Sequence, residues 1–339
     1  MSSVLIIGPN FHYFMQSIER AFRTLGWDTH ILTYDTPIHP FNAWNTVRYK
    51  MAGDKEPLRD ISKEKWKNEV ETKYESLMPD LVFIVNGENL LPESVKKFAE
   101  HSTVSLWLFD SAIRHPYLQN LVPQVNHVFC YEQDDIPVLK SKYYVDAHFL
   151  PQAVDTSLYH PIQGVPENLD IVFAGDIWQS NKRKSLLQVI VKEFGNDKKI
   201  RIWGVYKPIY KGVWSWLTRE RRDIYTNHYT TAETLNKDYN SARIVLNIHN
   251  EQQTNGANPK VFEICGAGAY QLCDYNPYIE LLFPNGEVGL YHNTEEMIAM
   301  IRDGIENDKS AQAAAAYKIV TNNHTFIHRV QKMLDIVYK

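Results

Sequence analysis

Three groups of residues have the types and spacing to do chemistry. The first lies in residues 255–274, N-G-A-N-P-K-V-F-E-I-C-G-A-G-A-Y-Q-L-C-D. Asn258 suits a helix N-cap and Pro259 the first helical position, where a backbone N–H would be orphaned in any case. Val261, Ile264 and Cys265 share an inward face, so Glu263 sets a carboxylate in an apolar turn behind a flexible Asn255-Gly256 entry. Amides at such a helix start favour a polar, anionic ligand, but an acidic residue there also matches the helix dipole with no ligand at all. The second group is Lys182, Arg183 and Lys184, with Asn181 as a candidate cap, in F-A-G-D-I-W-Q-S-N-K-R-K-S-L-L. Basic side chains beside free amides at a strand-to-helix junction make a phosphate site, and a solvated basic face is the alternative.

The third group sits at strand ends. Glu88 follows the buried run 80–85, and Asp110 follows 103–109 in W-L-F-D-S-A-I-R-H-P, beside Arg114 and His115. Both carboxylates leave parallel strands at the same sheet edge, where one could act as a general base or orient a substrate hydroxyl. Asp110 equally suits an N-cap. Gly8 and His12 occupy the loop after the first strand, the edge at which such sheets place ligands, although His12 also reads as a solvated loop residue.

The elements that must position these residues are alternating strands and helices. Residues 4–7 form a strand that stops at Gly8-Pro9-Asn10, a helical pattern covers 13–25, and 29–33 is the next strand. Strands at 80–85, 103–109, 127–131 and 147–150 continue the series, separated by helical segments. After a Pro-containing connection, 151–167, the architecture restarts with a strand at 169–174, a helix at 184–194 and strands at 200–203, 244–248 and 269–273. This order predicts α/β structure, with parallel sheets covered by helices on both faces. Two such units leave a cleft, where ligands usually bind. No G-x-G-x-x-G follows the first strand, so the dinucleotide fingerprint is absent.

At 339 residues the chain is long for one core. Its formal charge of −4 gives no support to a nucleic-acid binder, except through local clusters. Residues 205–228 are one such cluster, with Lys207, Lys211, Arg219, Arg221 and Arg222 interleaved with Tyr206, Tyr210, Trp214 and Trp216. The mixture suits a nucleic acid, an anionic lipid surface or a charged acceptor, and equally a peripheral segment with snorkelling side chains. The three cysteines, Cys130, Cys265 and Cys273, sit in apolar settings without metal-ligand spacing, which predicts buried free thiols in a reducing, cytoplasmic setting. No Asp-x-Asp stands in a convincing metal position, and Asp134-Asp135 reads as a helix start, so no metal is expected.

The stretch P-K-V-F-E-I-C-G-A-G-A-Y-Q-L-C-D, followed by E-L-L-F-P-N-G-E-V and N-T-E-E-M, resembles the C-terminal half of CgeB-like glycosyltransferases. L-N-K-D-Y-N-S-A-R-I-V-L-N-I is similar too, as is W-L-F-D…V-F-C-Y-E…F-L-P-Q-A-V-D in the first half. The resemblance implies a GT-B fold: two Rossmann-like domains, 1–160 and 161–320, facing a central cleft, with a final helix in 321–339 crossing back to the first. It implies that Glu263 binds the donor ribose, that Arg183 or Lys184 binds the diphosphate, and that Lys260 and the backbone of Gly256, Ala257 and Asn258 complete the donor site. The donor it implies is a nucleoside diphosphate sugar, UDP type, with no cofactor expected, and the transfer it implies is metal-independent and retaining. Gly8, His12, Glu88, Asp110 and His115 fall on the acceptor side, with Asp110 as base. The acceptor classes that fit are a glycan, a protein, a lipid-linked sugar and a modified DNA base.

The chain departs from the pattern at three points. Asn255 stands where related retaining enzymes often have a second Glu, Lys260 replaces the usual Arg and so lacks its bidentate fork, and Cys265 replaces a Pro. Two rival readings share the fold. One is a DNA base-modifying transferase, supported by the basic aromatic segment. The other is a non-catalytic nucleotide-binding module, supported by Asn255.

Overall fold

The computed structural model describes residues 1–10, 13–34, 51, 56–112, 115–206, 221, 223–251 and 253–339, with the helix turns at 56–62 described by backbone alone. His12, Arg114 and most of the basic aromatic segment, including Lys207, Lys211, Arg219 and Arg222, lie outside these residues. The chain divides into two compact units: Met1–Pro151 with Phe326–Lys339, and Gln152–Thr325.

The first unit carries β1 (Ser3–Pro9), α1 (Phe14–Thr24), β2 (Asp28–Tyr34), α2 (Glu56–Leu77), β3 (Leu81–Val85), α3 (Pro92–Ala99), β4 (Thr103–Leu108), a short helix α4 (Leu118–Leu121), β5 (His127–Cys130), α5 (Asp135–Tyr143) and β6 (Ala147–Phe149). Its six strands lie in the order β2-β1-β3-β4-β5-β6, every pairing parallel. The near-continuous apolar runs Val4–Ile7 and Leu81–Val85 are fully buried, as a sheet covered on both faces requires.

The second unit carries β7 (Leu169–Ala174), α6 (Asn181–Phe194), β8 (Ile200–Trp203), α7 (Ala232–Asn240), β9 (Ala242–Asn247), α8 (Pro259–Gly266), β10 (Gln271–Asp274), α9 (Pro277–Leu282), β11 (Gly289–Tyr291), α10 (Thr294–Glu306) and α11 (Ser310–Asn323). Its strands run β11-β10-β9-β7-β8, again all parallel. Counted from its own first strand, this is the order 2-1-3-4-5 of the first unit's leading strands. Each sheet therefore reverses its winding once, between β1 and β3 and between β7 and β9. Such a switch point opens a crevice at the carboxyl ends of the two strands, where doubly wound sheets take ligands.

The last helix, α12 (Phe326–Val337), belongs to the first unit and packs on α1. Phe326 lies 6.4 Å from Phe14 and 6.4 Å from Trp107, ring centre to ring centre. Arg329 is buried and donates through Nε to the Pro151 carbonyl at 2.8 Å. Among the described residues, no helix is long and apolar enough to cross a membrane.

Candidate functional site

In the second unit, the switch-point strands β7 and β9 run on into Gly175-Asp176 and Ile248-His249. The helix that follows β7 starts at this edge. Its N-cap is Ser180, whose side chain accepts from the Arg183 N–H; the sequence had offered Asn181 for that role, but Asn181 is the first helical residue and exposed. Ser fits because its short hydroxyl reaches back to the N3 amide from an extended backbone.

The basic triplet splits three ways. The Arg183 guanidinium is only 8% exposed and donates through Nε to the Ile248 carbonyl and through Nη1 to the Asp176 carbonyl, both at 2.8 Å. It ties the two switch-point strand ends together, and burial pulls its pKa below the ordinary value against the pull of Asp176 and Asp274. The Lys184 ammonium lies over the Trp178 ring, 4.8 Å from its centre. Lys182 points to the end of β10, where Nζ lies 2.6 Å from Asp274 Oδ2.

Asp274 is the hub of this edge. Its Oδ1 accepts from the His249 backbone N–H at 2.8 Å and lies 3.0 Å from His249 Nδ1. Burial would raise its pKa, but His249 and Lys182 outweigh that and hold the carboxyl well below the usual carboxylate range. Glu251, on the loop after β9, accepts from the Ser180 hydroxyl at 3.1 Å and from the Lys182 backbone N–H at 3.0 Å. A carboxylate of the chain thus caps the α6 N-terminus. His249, Glu251 and Asp274 carried no role in the sequence reading. The only signal was their position at the ends of buried apolar runs, where a polar residue is an ordinary stop.

Next to this edge lies α8. Asn258 caps it, Oδ1 accepting from the Val261 N–H at 3.2 Å, with Pro259 at the first helical position. The Asn258 and Asn247 amides also exchange hydrogen bonds at 2.9 and 3.1 Å, fastening the helix start to the end of β9. Gly256, Ala257 and Asn258 are all buried. Lys260 Nζ lies 2.6 Å from Glu263 Oε2, with side chains 21% and 9% exposed. Gly204, at the end of β8, has φ +134°, and a Cβ there would fall 1.8 Å from the Gly175 carbonyl oxygen. Only glycine permits that approach.

In the first unit, Asn86 and Gly87 at the end of β3 both have positive φ, 58° and 79°. The turn is locked by Asn86, whose Oδ1 accepts from the Phe109 N–H at 2.8 Å and whose carbonyl accepts from the Tyr117 hydroxyl at 3.1 Å. Burial, then the charges of Glu88 and Asp110, push the Tyr117 hydroxyl far above its ordinary pKa. Tyr117 thus reaches the turn after β3 from the segment that follows β4. Asp110 is half exposed, and its Oδ2 lies 3.8 Å from His115 Nε2, beyond hydrogen-bond reach. Gly8 presses on the core: a Cβ would meet Met15 Sδ at 2.6 Å and Val85 Cβ at 2.9 Å. Asp135 opens α5 behind Asp134 at the N-cap, the helix start expected from the sequence, and its carboxylate turns inward, accepting from the Ser111 hydroxyl and the Ala112 N–H, each at 2.8 Å.

No curated protein matches this chain in sequence. Among solved structures, a sucrose-phosphate synthase from Thermosynechococcus elongatus superposes with a TM-score of 0.73 at 9% identity, covering 99% of this chain and 98% of that one. A glycosyltransferase from Rickettsia africae gives 0.65 at 12% identity, with 99% and 97% covered. The Anabaena protein HepE, solved in complex with UDP, gives 0.63 at 10% identity, with 100% of each covered. The fold is that of the GT-B glycosyltransferases, built from two Rossmann-like units. Residues 182–335 match the family model described as glycosyl transferase-like, so the chain carries a glycosyltransferase-like segment that begins at Lys182 and takes in Glu263 and Asp274.

Proposed function

We propose that this chain is a glycosyltransferase that moves a sugar from a nucleoside diphosphate sugar, UDP type, to an acceptor hydroxyl. The observation that carries the reading is the largely buried Lys260–Glu263 pair on the capped start of α8, within the glycosyltransferase-like segment. A carboxylate fixed by a lysine through one oxygen keeps acceptor capacity for the two hydroxyls of a ribose. Glu263 is the ribose clamp. The α6 N-terminus takes the diphosphate, with Lys182, which Asp274 holds at this edge, as its side-chain cation; the Arg183 guanidinium is buried against two backbone carbonyls and Lys184 lies over Trp178. Arg183 then acts by holding the edge in shape.

As the bond from the sugar's anomeric carbon to the diphosphate oxygen breaks, negative charge grows on the leaving group. Lys182 and the helix amides stabilise it there, with no metal ion required. The acceptor oxygen forms the new bond to the same carbon, with retention, and Asp110 takes up its proton. Glu88, His115, His12 and the Gly8 loop are assigned to the acceptor side.

The test is binding followed by turnover. UDP and UDP-sugars should raise the melting temperature by mass action, while nucleoside monophosphates raise it less. UDP should be released from a UDP-sugar, and Glu263→Gln should weaken both responses. A chain stabilised by no nucleoside diphosphate overturns the reading.

A further inference from the structure

We infer that the carboxyl end of the second unit's sheet binds one transition-metal cation of the zinc class, ligated by His249 Nδ1, Cys273 Sγ and Asp274 Oδ1. His249 lies two residues past β9, and Cys273 and Asp274 end β10, its hydrogen-bonded neighbour. All three residues are buried, and among the described residues theirs is the group of His, Cys, Asp and Glu side chains with ligand atoms clustered closely enough, within 4.8 Å, to hold an ion.

The spacing approaches one face of a coordination tetrahedron, with the N–O edge shorter and the S–O edge longer than an ion would set them. Zinc-type bonds of about 2.0–2.3 Å at tetrahedral angles place N, O and S ligands roughly 3.3–3.6 Å apart. Here Nδ1–Oδ1 is 3.0 Å, Nδ1–Sγ is 3.5 Å and Sγ–Oδ1 is 3.9 Å. The donor set decides the ion. A thiolate with an imidazole selects zinc or cobalt over magnesium or calcium, which prefer oxygen alone. One thiolate and one carboxylate also balance a divalent charge, and Lys182 engages the other oxygen of Asp274, Oδ2.

Two buried polar atoms nearby lack a hydrogen-bond partner: His249 Nε2 and the Tyr291 hydroxyl. Tyr291 stands opposite Asp274 in the β10–β11 pairing. Its buried hydroxyl offers a partner to a water in the fourth position. On binding, the S–H bond of Cys273 breaks and its proton leaves to solvent as the sulfur–metal bond forms. The His249 proton then resides on Nε2. The ion would fasten the ends of β9 and β10 and fix Asp274, which holds Lys182.

The test uses the full-length chain stripped of metal with a chelator and titrated with Co2+. One equivalent should give a near-ultraviolet thiolate-to-cobalt band with visible bands of four-coordinate intensity, and Zn2+ should displace it. Cys273→Ala should remove the near-ultraviolet band and weaken binding at least about tenfold. No thiolate band in the wild-type protein, or an unchanged band in Cys273→Ala, overturns the inference. The wild-type spectrum decides alone if the variant does not fold. UDP affinity of the metal-free protein reports on the donor site separately.

Discussion

The Lys260 ammonium and the Glu263 carboxylate lie 2.6 Å apart across one turn of α8, both largely withdrawn from water. Burial alone would pull the lysine pKa down. The glutamate reverses this and holds it above its ordinary value. Each charge is thus tolerated because of the other. Removing one partner of such a pair costs about 3–5 kcal/mol, whereas replacing both with apolar groups is often nearly neutral. Glu263→Gln should therefore destabilise the chain towards the lower end of that range, and Lys260→Met with Glu263→Gln should recover most of the loss. UDP affinity should fall at least about tenfold in both, since the ribose contact is gone either way. Urea unfolding and titration calorimetry read the two effects apart. Recovery of UDP binding along with stability would sink the ribose role.

The start of α8 makes a second prediction. Asn258 is both the N-cap and half of a buried amide pair with Asn247. Asn258→Ala removes a cap, worth about 1 kcal/mol, and strands the Asn247 amide, which adds roughly 1–3 kcal/mol. Asn258→Ser keeps the cap and loses only the pair, so its unfolding free energy should fall between wild type and Asn258→Ala. Equal losses for Ser and Ala would show that capping contributes nothing here.

How much of this was legible in the sequence follows from where the information resides. The doubly wound order could be read because β-branched runs such as Val4–Ile7 and Leu169–Ala174 stop at Gly-containing turns and alternate with amphipathic segments. The Asn258–Pro259 helix start was legible because capping is local chemistry. The partners of Lys182, Arg183 and Lys184 were not. Three adjacent cations meet Asp274, Ile248 and Trp178, and the first two of those contacts span 92 and 65 residues. Only the strand order brings them together. Ser180 displaced Asn181 as cap for a smaller reason: both residues can cap, and the start of the helix is decided by backbone that propensity does not fix to one residue.

Asp135 supplies a pH dependence in the first unit. Its carboxyl is buried, and burial with the neighbouring Asp134 charge raises its pKa, more than the Ala112 N–H, the Ser111 hydroxyl and His115 lower it. In the folded state it keeps its proton to higher pH than in the unfolded chain. That contribution to stability is fully present below the unfolded value of about 4 and is lost as pH rises through the folded value. Wild-type unfolding free energy should fall over the weakly acidic range, and Asp135→Asn should flatten that slope while costing a hydrogen bond throughout. A slope unchanged in the variant would assign the effect to another group.

Gly8 makes a prediction about packing. A methyl group there would press on Met15, whose thioether can move, and on Val85 Cβ, which sits in the adjoining buried strand. Overpacking of this kind costs about 1–3 kcal/mol. Gly8→Ala should lower the melting temperature, and Gly8→Ala with Met15→Ala should restore part of the loss. Lack of any rescue would place the strain on β3 instead.

The last prediction turns on Glu251, whose carboxylate accepts from Ser180 and the Lys182 amide at the α6 N-terminus, where the donor diphosphate is proposed to bind. Two anions cannot share those amides. If the diphosphate docks there, it must displace Glu251 and then sit near its charge. Glu251→Gln keeps the side chain's shape and an acceptor oxygen but removes the charge. It should tighten UDP binding by roughly three- to tenfold, which corresponds to about 1 kcal/mol, and the gain should shrink as salt screens the exposed carboxylate. Lys182→Met should act oppositely, weakening UDP by about tenfold with little change for uridine, because it removes a cation that only the phosphates meet. Calorimetry with UDP and uridine on both variants separates these outcomes. If Glu251→Gln weakens UDP instead, the carboxylate organises the loop rather than competing for it, and the diphosphate must bind away from the α6 N-terminus.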